Sequence, residues 1–262
     1  MLKRTRDLLR NVALAGGIAL ERAMDEQDIC RFLEALHPVV TRIPLIRLGG
    51  EADGGYLVPD DLNDILACFS PGVDVTATFE LELVRRGIPC FLADASVDKA
   101  PIEHPLVHFQ KKYLGLEKDQ ISLDAWVNTS APPQGDLLLQ MDIEGAEWPV
   151  LLNVSDRALE RFRIIIIEFH YLESIFHKSD LRIFQATFAR LLQYFHVVHS
   201  HPNNVAVPIV KGRVVVPKYL EMTFLRKDRA QALGYSNSFP HPLDRPNVPS
   251  LPDFALPRVW YR

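Results

Sequence analysis

The apolar positions change period along the chain. Ile29, Phe32, Leu33 and Leu36 recur at helical spacing and Pro38 ends the pattern, so residues 1–40 read as one or two helices. From about residue 45 to residue 228, short apolar runs alternate with helix-like stretches. The runs fall at 64–69, 89–94, a shorter one near 107–109, 136–142, 164–170, 195–199 and 221–225. The stretches between them predict helices over about 75–86, from near Ala146, and over about 180–194. Such alternation predicts βαβ units around a parallel sheet. Leu137-Leu138-Leu139 and Ile164-Ile165-Ile166-Ile167 carry no alternating polar residue. A strand apolar at every position is covered on both faces, so these two are expected at the centre of the sheet.

The pattern divides the chain into a helical extension (1–44), an α/β domain (45–228) and a tail (229–262). The tail carries Pro240, Pro242, Pro246, Pro249, Pro252 and Pro257, which favour extended backbone. Phe239, Phe254, Trp260 and Tyr261 are more aromatic surface than a free linker holds, so the tail is expected to pack on the domain.

Composition narrows the class. The 262 residues are 48% hydrophobic and 24% charged, which suits one α/β domain with additions. A formal net charge of −4 argues against a partner bound through bulk positive charge, so no nucleic acid is expected. Cys30, Cys68 and Cys90 have neither metal nor disulfide spacing, which makes a reducing cytoplasm the default location. No apolar run reaches the roughly 20 residues of a membrane helix. Lys3, Arg4, Arg6 and Arg10 precede the apolar stretch 12–20, which resembles a signal peptide in outline. Asp7 interrupts the basic region and Glu21-Arg22 offers no small-residue cleavage site. A basic helix lying on a membrane surface or on the domain is the preferred reading.

The acids carry the chemistry. Asp94, Asp142 and Glu168 each end an apolar run, with Glu144 and His170 just beyond. Open parallel sheets bind ligands outside the carboxyl ends of their strands, so these groups converge on one edge. An acid after a strand also caps the following helix. The convergence, rather than any single position, carries the inference.

Asp94 lies 22 residues after Gly72, the separation at which a Rossmann-type site places an acid on ribose hydroxyls. Ser70-Pro71-Gly72-Val73-Asp74 is not the glycine-rich turn that admits a pyrophosphate. A ligand with a ribose and no pyrophosphate fits better, and S-adenosylmethionine is one. Glu80, in the next helix, either faces that pocket or is a solvated helix carboxylate. Asp142-Ile143-Glu144-Gly145-Ala146-Glu147 is the sharpest motif, with a glycine for an unusual turn between acids. His170 is either a base for a substrate hydroxyl or a structural histidine bonded to backbone. Asp53-Gly54-Gly55-Tyr56 is either a hairpin turn or a loop that lays Tyr56 over the cofactor. In His199-Ser200-His201-Pro202-Asn203-Asn204, two histidines two apart share a face if they lie on a strand, and a divalent cation is then possible. A loop would not hold that geometry, and no metal ligand is assigned.

Taken together, these residues make the chain resemble the FkbM-type methyltransferases over roughly 45–228. The resemblance rests on Asp53-Gly54-Gly55-Tyr56, the Asp-x-Glu-Gly-x-Glu stretch 142–147, Ile167-Glu168-Phe169-His170 and His199-x-His201-x-Asn203-Asn204. It implies a Rossmann-like class I methyltransferase sheet of seven mostly parallel strands, one antiparallel, with helices on both faces. It also implies S-adenosylmethionine as cofactor and methyl transfer to a hydroxyl of a sugar, glycan or similar polyhydroxylated small molecule. The expected cofactor contacts are Gly72, Glu80, Asp94, Tyr56 and Asp142. His170, Glu144 and Asp142 are the expected catalytic groups, with His170 assigned as base from its position. His199, His201 and Asn204 are expected on the acceptor. The departure from the class pattern is the reduced glycine turn. Three other readings stay open on the residues alone: a non-catalytic protein that keeps the fold, a nucleotide-dependent oxidoreductase and a metal-dependent hydrolase.

Overall fold

The structure, a computed structural model, describes residues 11–17 and 23–262. The four basic residues near the amino terminus, Lys3, Arg4, Arg6 and Arg10, lie outside the described residues.

Helix α1 (Glu26–Glu34) buries Ile29, Phe32 and Leu33, the stripe expected from their spacing. Two short antiparallel strands, Leu45–Leu48 and Tyr56–Pro59, then form a hairpin. The main sheet follows: β1 (Ile65–Pro71), α2 (Thr78–Arg85), β2 (Cys90–Ala93), β3 (Val107–Gln110), α3 (Leu123–Ser130), β4 (Asp136–Met141), α4 (Glu147–Asn153), α5 (Asp156–Leu159), β5 (Phe162–Phe169), α6 (Lys178–Tyr194), β6 (Phe195–Pro202) and β7 (Leu220–Arg226). A second hairpin, Ile209–Lys211 with Val214–Val216, lies between β6 and β7.

The seven strands lie in the order β3-β2-β1-β4-β5-β7-β6. All pairs are parallel except those of β7, which runs antiparallel to both β5 and β6. This is the Rossmann-like class I sheet. Helix α3 links β3 to β4 and buries Leu123, Trp126 and Val127, an element beyond those that the apolar pattern predicts.

The two unalternating strands sit at the centre because successive side chains feed opposite cores. Leu137, Leu139, Ile165 and Ile167 join one core with α1, Trp126, Trp148, Phe184 and Phe188. Leu138, Ile164 and Ile166 join the other, under the first hairpin and α2 with Tyr56, Val58, Phe79 and Leu83. All eight residues of β5 are buried. The tail is part of the fold. Gly234–Tyr235 pairs with Val39–Val40, and Trp260 is buried with its Nε1 donating to the Val215 carbonyl at 2.9 Å. No helix among the described residues is long and apolar enough to cross a membrane.

The strand order reverses between β1 and β4, which opens a crevice at their carboxyl ends. At the opposite edge, Asp136 is paired with Arg163 at 2.7 Å and Arg226 at 2.8 Å, and Asp61 with Arg229 at 2.8 Å. Acids at that edge are neutralised by arginines. In the described ion pairs, no lysine or arginine joins Asp142, Glu147, Glu168 or Glu221 at the crevice edge.

Candidate active site

A cavity of about 590 Å³ opens at the crevice, within the size range of small-molecule sites. Gly72 after β1, Asp94 after β2 and Asp142 after β4 all line it, so the three strand ends do share one pocket. Gly72 has φ +80°, and a Cβ there would sit 1.5 Å from the Asp142 carbonyl oxygen. The glycine is thus required by the close approach of β1 and β4, independently of any ligand. This accounts for the single glycine at a turn that is glycine-rich in the Rossmann pattern.

Asp94 is buried, and its carboxylate holds two loops. Oδ2 accepts the Asp74 N–H at 3.0 Å, and Oδ1 accepts the Ser96 N–H and hydroxyl at 2.7 Å each. A carboxylate offers about four acceptor positions, so one on Oδ2 remains for a ligand hydroxyl. Ser96, Tyr113 and Gln120 also line the cavity and were not singled out in the sequence, because they belong to loops without a motif.

Glu80 and Tyr56 do not line the main cavity. Glu80 is buried rather than solvated, and it accepts from Ser70 Oγ behind the cavity. Burial raises its carboxyl above the ordinary range, against the Ser70 hydrogen bond. Tyr56 is buried against Phe79 and accepts from Gln140 Nε2 at 3.2 Å. Both line a small adjoining space of about 80 Å³ rather than the main cavity. Asp53 lines both.

The Asp142–Glu147 stretch turns sharply between β4 and α4. Glu144 has φ +57° and Gly145 φ +103°, and a Cβ on Gly145 would sit 2.3 Å from the Tyr171 ring. Tyr171 is itself left-handed at φ +60°, just after His170. Left-handed non-glycine residues on both sides of one site are backbone strain held by tertiary packing.

This turn delivers its acids to His170. Glu147 is fully buried, and its Oε1 accepts the N–H groups of Ile143 at 3.0 Å and Gly145 at 3.2 Å. The same oxygen lies 3.1 Å from His170 Nδ1, and the Glu168 carbonyl lies 3.2 Å from that nitrogen. Two acceptors at Nδ1 fix its proton there and leave Nε2 as the basic nitrogen of the neutral ring. Nε2 faces Asp142 Oδ1 at 3.6 Å and Glu144 Oε2 at 3.4 Å. The Glu144 side chain is 86% exposed, whereas Asp142 Oδ1 is buried without a hydrogen-bond partner.

The charges follow from this packing. Burial alone would lower the His170 pKa, but the Glu147 hydrogen bond and the charges of Glu147, Asp142 and Glu144 outweigh it and raise it. Burial lifts the Asp142 carboxyl to about 7, opposed by His170 and reinforced by Glu147 and Glu144.

The expected acceptor residues lie on or next to β6, two strands beyond β5. His199 is a strand residue, with Nε2 2.9 Å from Asp244 of the tail. Asn204 holds the tail as well, accepting from Val248 N–H and donating to the Val248 carbonyl. His199 Nε2 and the Asn204 amide are therefore engaged by the protein's own tail. His201 has no hydrogen bond at either ring nitrogen and lies directly across from Glu221 of β7.

Glu221 is an acid at this edge that lies outside the sequence-predicted candidates. The rule that site acids follow the carboxyl ends of strands fails for an antiparallel strand, whose beginning lies at the site edge. A glutamate opening an otherwise apolar run was the available signal.

Residues 73–201 match the model of the Methyltransferase FkbM domain. Among solved structures, a TehB-like SAM-dependent methyltransferase from Corynebacterium glutamicum superposes with a TM-score of 0.33 and 13% identity, covering 86% of this chain and 97% of that one. PH1948 of Pyrococcus horikoshii, assigned as an RNA methyltransferase, also gives 0.33 and 13%, covering 63% of this chain and 76% of that one. No curated protein matches the chain. The match runs from just after Gly72 to His201, and over that stretch the chain carries an FkbM-type methyltransferase domain.

Proposed function

We propose that the protein transfers a methyl group from S-adenosylmethionine to a hydroxyl oxygen of a sugar, glycan or similar polyhydroxylated small molecule. The observation that carries this reading is the Glu147–His170 pair, whose basic nitrogen faces two carboxylates at the cavity edge. The cavity suits the cofactor by its volume and by Asp94, which keeps an acceptor position for a ribose hydroxyl. When bound, the cofactor supplies a methyl group already activated on a sulfonium.

The chain's own tasks are then orientation and proton removal. Neutral His170 takes the acceptor hydroxyl proton at Nε2, while its Nδ1–H stays on Glu147. The resulting imidazolium is favoured by Glu147, Asp142 and Glu144. Asp142, Glu144 and the nearby Asp53 are acceptor-only when ionised, which suits a ligand rich in hydroxyl donors. Asp142 and Glu144 also disfavour an anionic acceptor at the same spot.

The test is transfer of labelled methyl from S-adenosylmethionine to a panel of free sugars, sugar nucleotides and glycans. Product methylated on oxygen, lost in His170→Ala with cofactor binding retained, supports the reading. Methylation on nitrogen or carbon, or undiminished turnover in His170→Ala, overturns it.

A further inference from the structure

A second group of acids lies beside the His170 cluster. Glu168 of β5 is the register partner of Glu221 of β7, and Glu221 is the register partner of His201 of β6. Directly opposed residues point to the same face of a sheet, so the three form one row. The row lies on the face covered by the first hairpin, whose Leu57 carbonyl accepts from Thr223 two residues along β7. The turn of that hairpin brings Asp53 to the row. One carboxylate oxygen from each of Asp53, Glu168 and Glu221 lies within 4.8 Å of the other two.

Glu168 and Glu221 are only 4% and 6% exposed. Their resolved donors are side-chain amides: Asn203 Nδ2 reaches Glu168 at 2.9 Å and Asn247 Nδ2 reaches Glu221 at 2.5 Å. Arg47, the nearby cation, spends its guanidinium on the Gly50 and Ala52 carbonyls. Beside these acids lie further polar atoms with nothing to bind. His201 is 6% exposed and both its ring nitrogens lack a hydrogen bond, the Asp244 carboxylate being 3.7 Å from Nδ1. Asn247 is equally buried and its Oδ1 is unpartnered, although its amide nitrogen bridges Glu221 and Asp53. Buried acceptors left unpaired are costly, and three converging carboxylates repel one another.

A cation removes both costs. Oxygen ligands sit about 2.0–2.6 Å from Mg²⁺, Mn²⁺ or Ca²⁺, so two ligands of one ion lie no more than about 5 Å apart, as these do. We propose that Asp53, Glu168 and Glu221 form a divalent-cation site of the Mn²⁺ or Mg²⁺ class, with the unpartnered Asn247 Oδ1 and His201 imidazole beside it. Oxygen-rich donors select hard ions. The site is distinct from the Glu147–His170 pair and does not depend on the methyl-transfer reading.

The test titrates Mn²⁺ into the metal-stripped full chain, followed by calorimetry and by loss of the free-Mn²⁺ paramagnetic resonance signal. Saturable binding at a single site is expected, with Mg²⁺ competing. E168Q and E221Q are each expected to weaken it by about 100-fold or more, since even outer partners of a metal ligand cost 10–100-fold. H170A and E147Q are expected to keep it. Metal-free E221Q is expected to melt no lower than the metal-free wild type, because one of three like charges is gone, and to lose the rise in Tm that Mn²⁺ gives the wild type. No saturable Mn²⁺ binding by the wild type, or binding lost in H170A or E147Q and kept in E221Q, overturns the proposal.

Discussion

Oε1 of Glu147 lies 3.1 Å from Nδ1 of His170 and also accepts the backbone N–H groups of Ile143 and Gly145. One oxygen atom thus ties the turn after β4 to the residue after β5. The position of the proposed base is therefore set by the same contact that shapes the Asp142–Glu147 loop.

His170→Ala is expected to lower kcat by roughly 10²–10⁴, the usual contribution of a general base. Calorimetric binding of S-adenosylhomocysteine is expected to stay within a few-fold of wild type. Glu147→Gln is a different experiment, because Glu147 acts through His170. Removing its charge lowers the His170 pKa, so the rising limb of the pH–rate profile moves to lower pH as the plateau falls. An unmoved limb would separate Glu147 from the base.

Asp94→Asn turns an acceptor of three protein hydrogen bonds into a group that presents an amide to one of them. The Asp74 and Ser96 loops lose their shared anchor as the ligand loses its acceptor. Hydrogen bonds to charged groups are worth about 1.5–3 kcal/mol, so cofactor-product affinity is expected to fall roughly 10-fold or more. Calorimetry at fixed salt measures this directly.

Gly72→Ala tests the crossing of β1 and β4. The added Cβ meets the Asp142 carbonyl oxygen in a left-handed conformation that alone costs roughly 1–2 kcal/mol. The strands must part, so the loss in a denaturant titration is expected to exceed that figure. Wild-type stability in this variant would mean that the two strand ends are not held so close.

Stability is expected to fall as pH rises from about 4 to 8. The Asp142 and Glu221 carboxyls are lifted to about 7 by burial, against the pull of His170 and His201 respectively. An acid with a raised folded-state pKa binds its proton more tightly when folded. Its contribution is full below the unfolded value and is lost as pH passes the folded one. His170 and His201 act in the same direction, their burial being outweighed by neighbouring carboxylates. The metal-free Tm at about pH 5 should exceed that at about pH 8, with Glu221→Gln flattening the difference. A Tm that climbs across this range would contradict the assignment.

The tail is a structural element, and Trp260→Ala should show it. Its ring is buried and its Nε1 donates to Val215, so about 3–5 kcal/mol of stability is expected to disappear. Thermal melts of the variant beside the wild type are sufficient.

Some of this molecule was settled by local pattern. Leu137–Leu139 and Ile164–Ile167 announce central strands because an uninterrupted apolar run can be buried only between two layers. Ile29, Phe32 and Leu33 announce a helix because their period is 3.6 residues. The acids Asp94 and Asp142 were legible for the same kind of reason, each ending a strand at the sheet edge where ligands sit. Partner choice was not legible. Glu80 and Tyr56 line a small space beside the main cavity rather than the cavity itself, since which side of a helix or hairpin faces the sheet depends on how the layers stack. His199 and Asn204 carry the chemistry of a binding site, yet the tail engages His199 Nε2 and the Asn204 amide from some 45 residues further along the chain. Glu221 reached the site only because β7 runs against its neighbours, which places the start of a strand where the others place their ends. Period and apolarity are properties of adjacent residues and can be read in order. The meeting of Asp53, Glu168, Glu221 and His201 is a property of strand pairing, and only the folded chain decides it.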